Sequence, residues 1–121
     1  MWWPVMVLRL LMAHAFCDFV FQTDAMAKGK NRNNPPPILP PGQKLCACWP
    51  YWLSAHALIA GAGVWLATGV WVLGLAEVVA HWGIDFIKCE GYSNPHMDQM
   101  LHLVCRIGYV AVLWEMGVVV L

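Results

Sequence analysis

From Tyr51 to Lys88 the chain is apolar for 38 residues, with only His56, Glu77, His81 and Asp85 as ionisable groups inside the run. Built as one helix it would be about 57 Å long, against a hydrocarbon core of about 30 Å. The stretch must therefore turn back on itself. Ala67-Thr68-Gly69 is the expected place, which leaves two spans of roughly 17–19 residues each. Hydrophobic residues make up 60% of the chain and charged residues 12%, against about 45–50% and about 25% in soluble domains. A chain of 121 residues has too little interior to hide that much apolar surface from water. The expected fold is an all-α integral membrane bundle of four transmembrane helices, about residues 3–27, 50–67, 70–88 and 97–120, in a single domain covering 1–121.

Trp2 and Trp3 are expected at an interface, with Pro4 tolerated in a first turn. No cleavable signal peptide is expected, because the start lacks a basic region and the apolar run continues into His14 and Asp18. Residues 28–49 form a basic, Pro-rich loop. Its Lys28, Lys30, Arg32 and Lys44 are four of the seven basic residues, and no acid accompanies them. By the positive-inside rule this loop is cytoplasmic, the protein is multi-pass in the inner membrane, and the four cations set orientation and meet anionic headgroups. The formal net charge of zero gives no electrostatic basis for binding nucleic acid. The five cysteines, Cys17, Cys46, Cys48, Cys89 and Cys105, follow no disulfide-framework or zinc-knuckle spacing and read as small apolar residues.

The chemistry concentrates in one repeated pattern. Ala13-His14-Ala15-Phe16-Cys17-Asp18-Phe19 and Ala80-His81-Trp82-Gly83-Ile84-Asp85-Phe86 both read Ala-His-x-x-x-Asp-Phe, and Asp98-Gln99-Met100-Leu101-His102 is its mirror. A spacing of four puts His and Asp on one helix face. The stripes extend to Gln22 on the first helix, Glu77 on the third and Arg106 on the fourth. With the basic loop inside, helices one and three run inward and two and four outward. His14, Asp18, His56, His81, Asp85, Asp98 and His102 then gather in the inner half of the bilayer, each His deeper than its Asp. Arg9 and Glu115 fall in the outer half. Gly61, Gly63 and Gly74 offer close helix packing, within the chain or as a face for a second copy.

An ionisable residue in a bilayer costs roughly 2.5–3.5 kcal/mol, so these must pair, line water or bind something. Three readings follow. In the first, His14, Asp18, His56, His81, Asp85, Asp98 and His102 hold one or two divalent metals. Mixed nitrogen and oxygen donors suit zinc, manganese or iron. Metal-bound water would then attack a lipid or another phosphate or ester substrate at the inner face, with Glu77 or Lys88 assisting. In the second, the His–Asp pairs are structural, and the chain is a non-enzymatic membrane module that binds a host membrane protein. In the third, the polar groups relay protons or ions. The sequence has no Gly-rich phosphate loop, nucleophile elbow or His-Glu-x-x-His. His96, in the turn before the last helix, reads as solvated.

The pattern His14-x-x-x-Asp18-Phe19-x-x-Gln22-Thr23-Asp24-x-Met26-Ala27-x-x-Lys30, followed by His56, His81-x-x-x-Asp85-x-x-Lys88 and Asp98-Gln99-x-x-His102, resembles a family of small bacterial and phage membrane proteins catalogued as domain of unknown function 3307. The resemblance spans most of the chain outside the Pro-rich loop, where Pro35-Pro36-Pro37 and Cys46-Ala47-Cys48 are this chain's own. It implies a helical membrane protein and no particular activity. A looser likeness, of residue types only, is to membrane-bound metal-dependent hydrolases with His and Asp in transmembrane segments.

Overall fold

The computed structural model describes residues 1–34, 40–42 and 47–118, and every regular element among them is helical. Helix α1 spans Trp3–Ala15 and runs on as one wide π-type turn, Phe16–Val20. A short α2 covers Asp24–Gly29, and α3 covers Trp49–Thr68. Helices α4, Trp71–Cys89, and α5, Pro95–Glu115, complete the chain. The four long helices form a closed ring in which α1 and α4 each pack on both α3 and α5. The expected turn is there. Gly69 adopts φ 73°, a left-handed conformation that glycine takes without strain, and its N–H donates to the Trp65 carbonyl at 2.7 Å.

Two helices differ from expectation, the first at its end and the last at both ends. The first helix does not continue to residue 27. The Phe21 N–H donates to the Phe16 carbonyl at 2.8 Å, a span of five residues rather than four, and the helix ends there. Thr23 then starts α2 by accepting from the Met26 N–H at 3.1 Å. Gln22 therefore lies beyond the helix and not on its stripe. The last helix starts two residues early, because Pro95 suits a first helical position and Asn94 accepts from the Met97 N–H at 2.8 Å. It ends at Glu115, ahead of Gly117 at φ 64°. Lys44, Cys46 and the prolines at 35–37 lie outside the described residues.

The interior has two zones. Met6, Leu10, Val64, Leu73, Tyr109 and Leu113 form an apolar cluster at the end holding the α3–α4 turn. The other zone is polar. Antiparallel α4 and α5 present complementary stripes, so that Glu77 meets Arg106, His81 stacks on His102, and Asp85 and Asp98 share Lys88. Spacing of four on both helices produces this ladder.

The three helix glycines work inside the chain. A Cβ on Gly74 would lie 2.8 Å from the Gly61 carbonyl oxygen and 2.8 Å from Trp65 Cβ, and one on Gly63 would lie 2.6 Å from Cys17 Sγ. They are the seams of α3 with α4 and of α3 with α1, and are not a free face for a second copy. Gly74→Ala is expected to cost about 1–3 kcal/mol through overpacking. Gly83→Ala, where a Cβ meets nothing within 4 Å, is expected to be neutral or slightly stabilising. Thermal unfolding of the two purified variants against the parent checks this; equal midpoints would contradict the close seam.

Candidate metal centre

The polar zone is built from five elements. The wide turn after α1 carries Asp18 inward, to 4% exposure, while its neighbours Phe19 and Val20 face out at 64% and 65%. Helix α3 supplies His56, α4 supplies Glu77, His81 and Asp85, and α5 supplies Asp98, His102 and Arg106. All of these are buried. Lys30 comes from the residue that ends α2.

Four residues converge at the centre. His56 Nε2 lies 3.0 Å from Asp18 Oδ1, 3.2 Å from Asp85 Oδ2 and 3.0 Å from His81 Nε2. His81 Nε2 lies 3.4 Å from Asp18 Oδ1 and 3.7 Å from Asp85 Oδ2. The donors of Asp18, His56, His81 and Asp85 can all be taken within 4.8 Å of one another. An ion with bonds of about 2.0–2.1 Å separates its tetrahedral donors by about 3.3 Å, so this spacing fits such an ion.

The tautomers sharpen the point. His81 Nδ1 lies 3.0 Å from Glu77 Oε1, where it donates. In the neutral ring this leaves Nε2 with a lone pair; in the protonated ring Nε2 carries a proton toward Asp18 and His56. Either way Nε2 faces a second imidazole nitrogen and two carboxylate oxygens, one of which, Asp85 Oδ2, also receives the Lys30 ammonium. A carboxylate behind a histidine fixes its ring and raises its basicity. Glu77 stands behind His81 in this way, and its second oxygen accepts from Tyr109 Oη at 2.7 Å and forms an ion pair with Arg106 Nη1 at 2.6 Å.

The other predicted residues surround this core. His14 Nε2 pairs with Gln99 Oε1 at 2.9 Å and its Nδ1 accepts from Arg106 at 3.3 Å, so it stands at the edge of the cluster. Gln99 Nε2 in turn donates to Asp18 Oδ2 at 2.9 Å. Asp98 Oδ2 accepts from Lys88 Nζ at 3.0 Å. His102 is fully buried against His81, with ring centroids 4.2 Å apart. His96 is exposed, as expected, but it lies in the first turn of α5 rather than before it and lines a cavity between α1 and α5.

Lys30 is not a surface cation as the loop's composition suggests. Its ammonium is 4% exposed and lies 2.5 Å from both Asp85 Oδ2 and Gln22 Oε1. Lys28 is exposed and pairs with Asp24 at 2.9 Å. Arg32 clasps Glu90 through two hydrogen bonds, the contact that holds the Glu90 carboxyl below its ordinary value. Cys17, Cys89 and Cys105 are free thiols. Cys48 is disulfide-bonded, which corrects its reading as a plain apolar filler.

Sequence reasoning missed Gln99, Tyr109 and the burial of Lys30. Tyr109 was findable, three residues beyond Arg106 on the α5 stripe. Gln99 was weaker, flanking Asp98. Lys30 sits in a polar segment, and nothing in its surroundings marks it as internal.

Fold and site define the chain as a small all-helical bundle with a buried cluster of histidines and carboxylates spaced for a cation. It belongs to the family described as protein of unknown function (DUF3307), which matches residues 6–119. No curated protein and no solved structure matches the chain.

Glu77 links His81, Arg106 and Tyr109, so its loss strands a buried guanidinium. Glu77→Ala is expected to cost about 3–5 kcal/mol, whereas Tyr109→Phe leaves two of its partners and is expected to cost about 0.5–1.5 kcal/mol. Denaturant titration of the variants checks the difference. Equal losses would contradict the central place of Glu77.

Proposed function

We propose that this chain is a membrane-embedded metal protein, with a divalent ion held by Asp18, His56, His81 and Asp85, that hydrolyses an amphiphilic phosphate or ester. The observation that carries the proposal is the donor spacing of 3.0–3.7 Å among His56 Nε2, His81 Nε2, Asp18 Oδ1 and Asp85 Oδ2. A proton on His81 can satisfy one or two of these five contacts; a divalent ion meets all four donor atoms. Zinc, manganese and iron suit two imidazoles with two carboxylates. Such an ion brings the pKa of its bound water toward ~7, which makes a nucleophile at neutral pH.

The membrane part rests on polarity turned inside out. Asp18, Lys30, His56, Glu77, His81, Asp85, Asp98, His102 and Arg106 are buried, while Leu8, Phe19, Leu66 and Val79 are each more than half exposed. Water rewards the opposite arrangement. Among the described residues one stretch, Trp3–Val20, is long and apolar enough to cross a membrane by length and composition. Helices α4 and α5 each carry three charged residues, Glu77, Asp85 and Lys88 in one and Asp98, Arg106 and Glu115 in the other. All but Glu115 and the partly exposed Lys88 turn fully inward. Whole-helix hydropathy therefore understates how apolar their outer faces are. Helices α3, α4 and α5, at 20, 19 and 21 residues, are about 28–32 Å long, the thickness of a hydrocarbon core. These lengths support four spans.

Access supports an amphiphilic substrate. A cavity of about 380 Å³ opens between α1 and α5, apolar along Leu11, Met100 and Leu103 and polar at His14, Gln99 and Arg106. Gln99 and His14 reach directly to Asp18. A chain held on the apolar wall would place its head beside the ligand set. Lys88, a quarter exposed, lies outside this cavity and pairs with Asp98 and Asp85, so Arg106 and His14 are the groups that would meet negative charge on such a head. Glu77, with both oxygens engaged, serves as the positioning carboxylate of His81.

Protein purified in detergent without chelator is expected to hold at least one stoichiometric transition metal by elemental analysis. It is expected to hydrolyse a phosphate- or carboxyl-ester amphiphile in micelles, to lose both metal and activity in the His56→Ala/His81→Ala variant, and to keep its helical circular dichroism there. A metal-free wild-type protein would overturn the metal reading, and metal without hydrolysis of either ester would overturn the hydrolase reading.

A further inference from the structure

Resting on the single-ion reading above, we infer that a second divalent cation binds beside the first, held by Asp98, His102 and Asp85, with Asp85 and Asp18 bridging the two ions. His102 is wholly buried, and neither of its ring nitrogens has a hydrogen-bond partner. Its Nε2 lies 3.7 Å from Asp98 Oδ1 and 3.8 Å from Asp85 Oδ1. Both of those oxygens are buried and also lack a hydrogen-bond partner. These separations are too long for hydrogen bonds, yet they fall within the roughly 3–4 Å at which donors stand when they share one ion. Leaving three such atoms buried without a hydrogen bond costs free energy at each of them, less at Asp85 Oδ1, which has the Lys88 ammonium 3.4 Å away. The ring cannot swing away, since it is stacked on His81 at 4.2 Å and tilted against His14 at 5.2 Å.

The two sites share carboxylates. Asp85 turns Oδ2 to His56 at 3.2 Å and Oδ1 to His102 at 3.8 Å. Asp18, whose Oδ1 faces His56, also offers a donor within 4.8 Å of those of Asp98 and His102. A carboxylate giving one oxygen to each of two ions sets them about 3.5–4 Å apart, the spacing of two-metal hydrolytic sites. Lys88 does not take the second ion's place. Its ammonium sits on the other oxygen of Asp98 at 3.0 Å and 3.4 Å from Asp85 Oδ1. With Lys30, Lys88 and Arg106 already present, a second divalent ion leaves the interior with surplus positive charge. That balance selects an anionic ligand, and of the two ester classes it favours the phosphoryl one.

The test uses the full chain in detergent, stripped by chelator and dialysed against Mn²⁺. Wild type is expected to bind two ions per chain and to give the multiline paramagnetic resonance spectrum of a spin-coupled pair. His102→Gln is expected to bind one ion with an uncoupled spectrum. Asp98→Asn, which keeps side-chain volume, provides the same reading should His102→Gln fail to fold by circular dichroism. One ion in wild type overturns the second site and leaves the first standing. Two ions retained by both variants, or two without coupling, overturn the assignment to these residues. No ion at all overturns both this inference and the reading on which it rests.

Discussion

Four carboxylates turned into the interior, Asp18, Glu77, Asp85 and Asp98, must each find positive charge or hydrogen-bond donors within a few ångströms. Unpaired, each would cost several kcal/mol in a low-dielectric interior. The register between α4 and α5 meets part of that demand by setting Arg106 on Glu77 and Lys88 between Asp85 and Asp98. Lys30 meets another part by reaching in from the end of α2 to Asp85. Three cationic side chains against four carboxylates leave one negative charge over, at the centre where His56 and His81 bring their nitrogens to 3.0 Å. A proton shared by these two rings would balance that single charge, and the proposed cation would meet it as well.

Much of this was legible in the chain. The excess length of residues 51–88 required a turn, and the turn falls at Gly69. Spacings of four on antiparallel helices implied the ladder of Glu77, His81 and Asp85 against Arg106, His102 and Asp98. His56, alone on its helix, belonged to the cluster only by depth, and the structure puts it at the centre. What could not be read depended on tertiary context. A π-type turn has no compositional signature, so the break after Val20 was invisible, although the spacing of four from His14 had already marked Asp18 as a member of the cluster. The burial of Lys30 requires α2 to fold back under the bundle, which a basic loop does not announce. The roles of Glu77 and Gln99 depend on which oxygen faces which partner, and spacing cannot specify that.

Polar interiors of this kind invite a structural explanation, with histidines and aspartates serving only as glue between helices. The contacts of Glu77 with Tyr109 and Arg106, and of Gln99 with His14 and Asp18, fit that role well, since donor and acceptor match at each link. The centre does not. His56 and His81 face one another through Nε2 between two carboxylate oxygens, and His102, Asp85 and Asp98 turn unpartnered atoms toward one another. The glue surrounds the cluster and holds it in a geometry that hydrogen bonding alone leaves incomplete. The lateral cavity between α1 and α5 is lined by Gln99 and His14, the two residues that contact Asp18 from that side.

The atoms proposed to surround the ion can be read directly by X-ray absorption at the edge of any metal that copurifies with the chain. The expected spectrum has nitrogen and oxygen neighbours at about 2.0–2.2 Å with outer-shell scattering from two imidazoles, and the His56→Ala/His81→Ala variant is expected to carry no metal to give one. A sulfur shell at about 2.3 Å, or a spectrum unchanged in that variant, would contradict it.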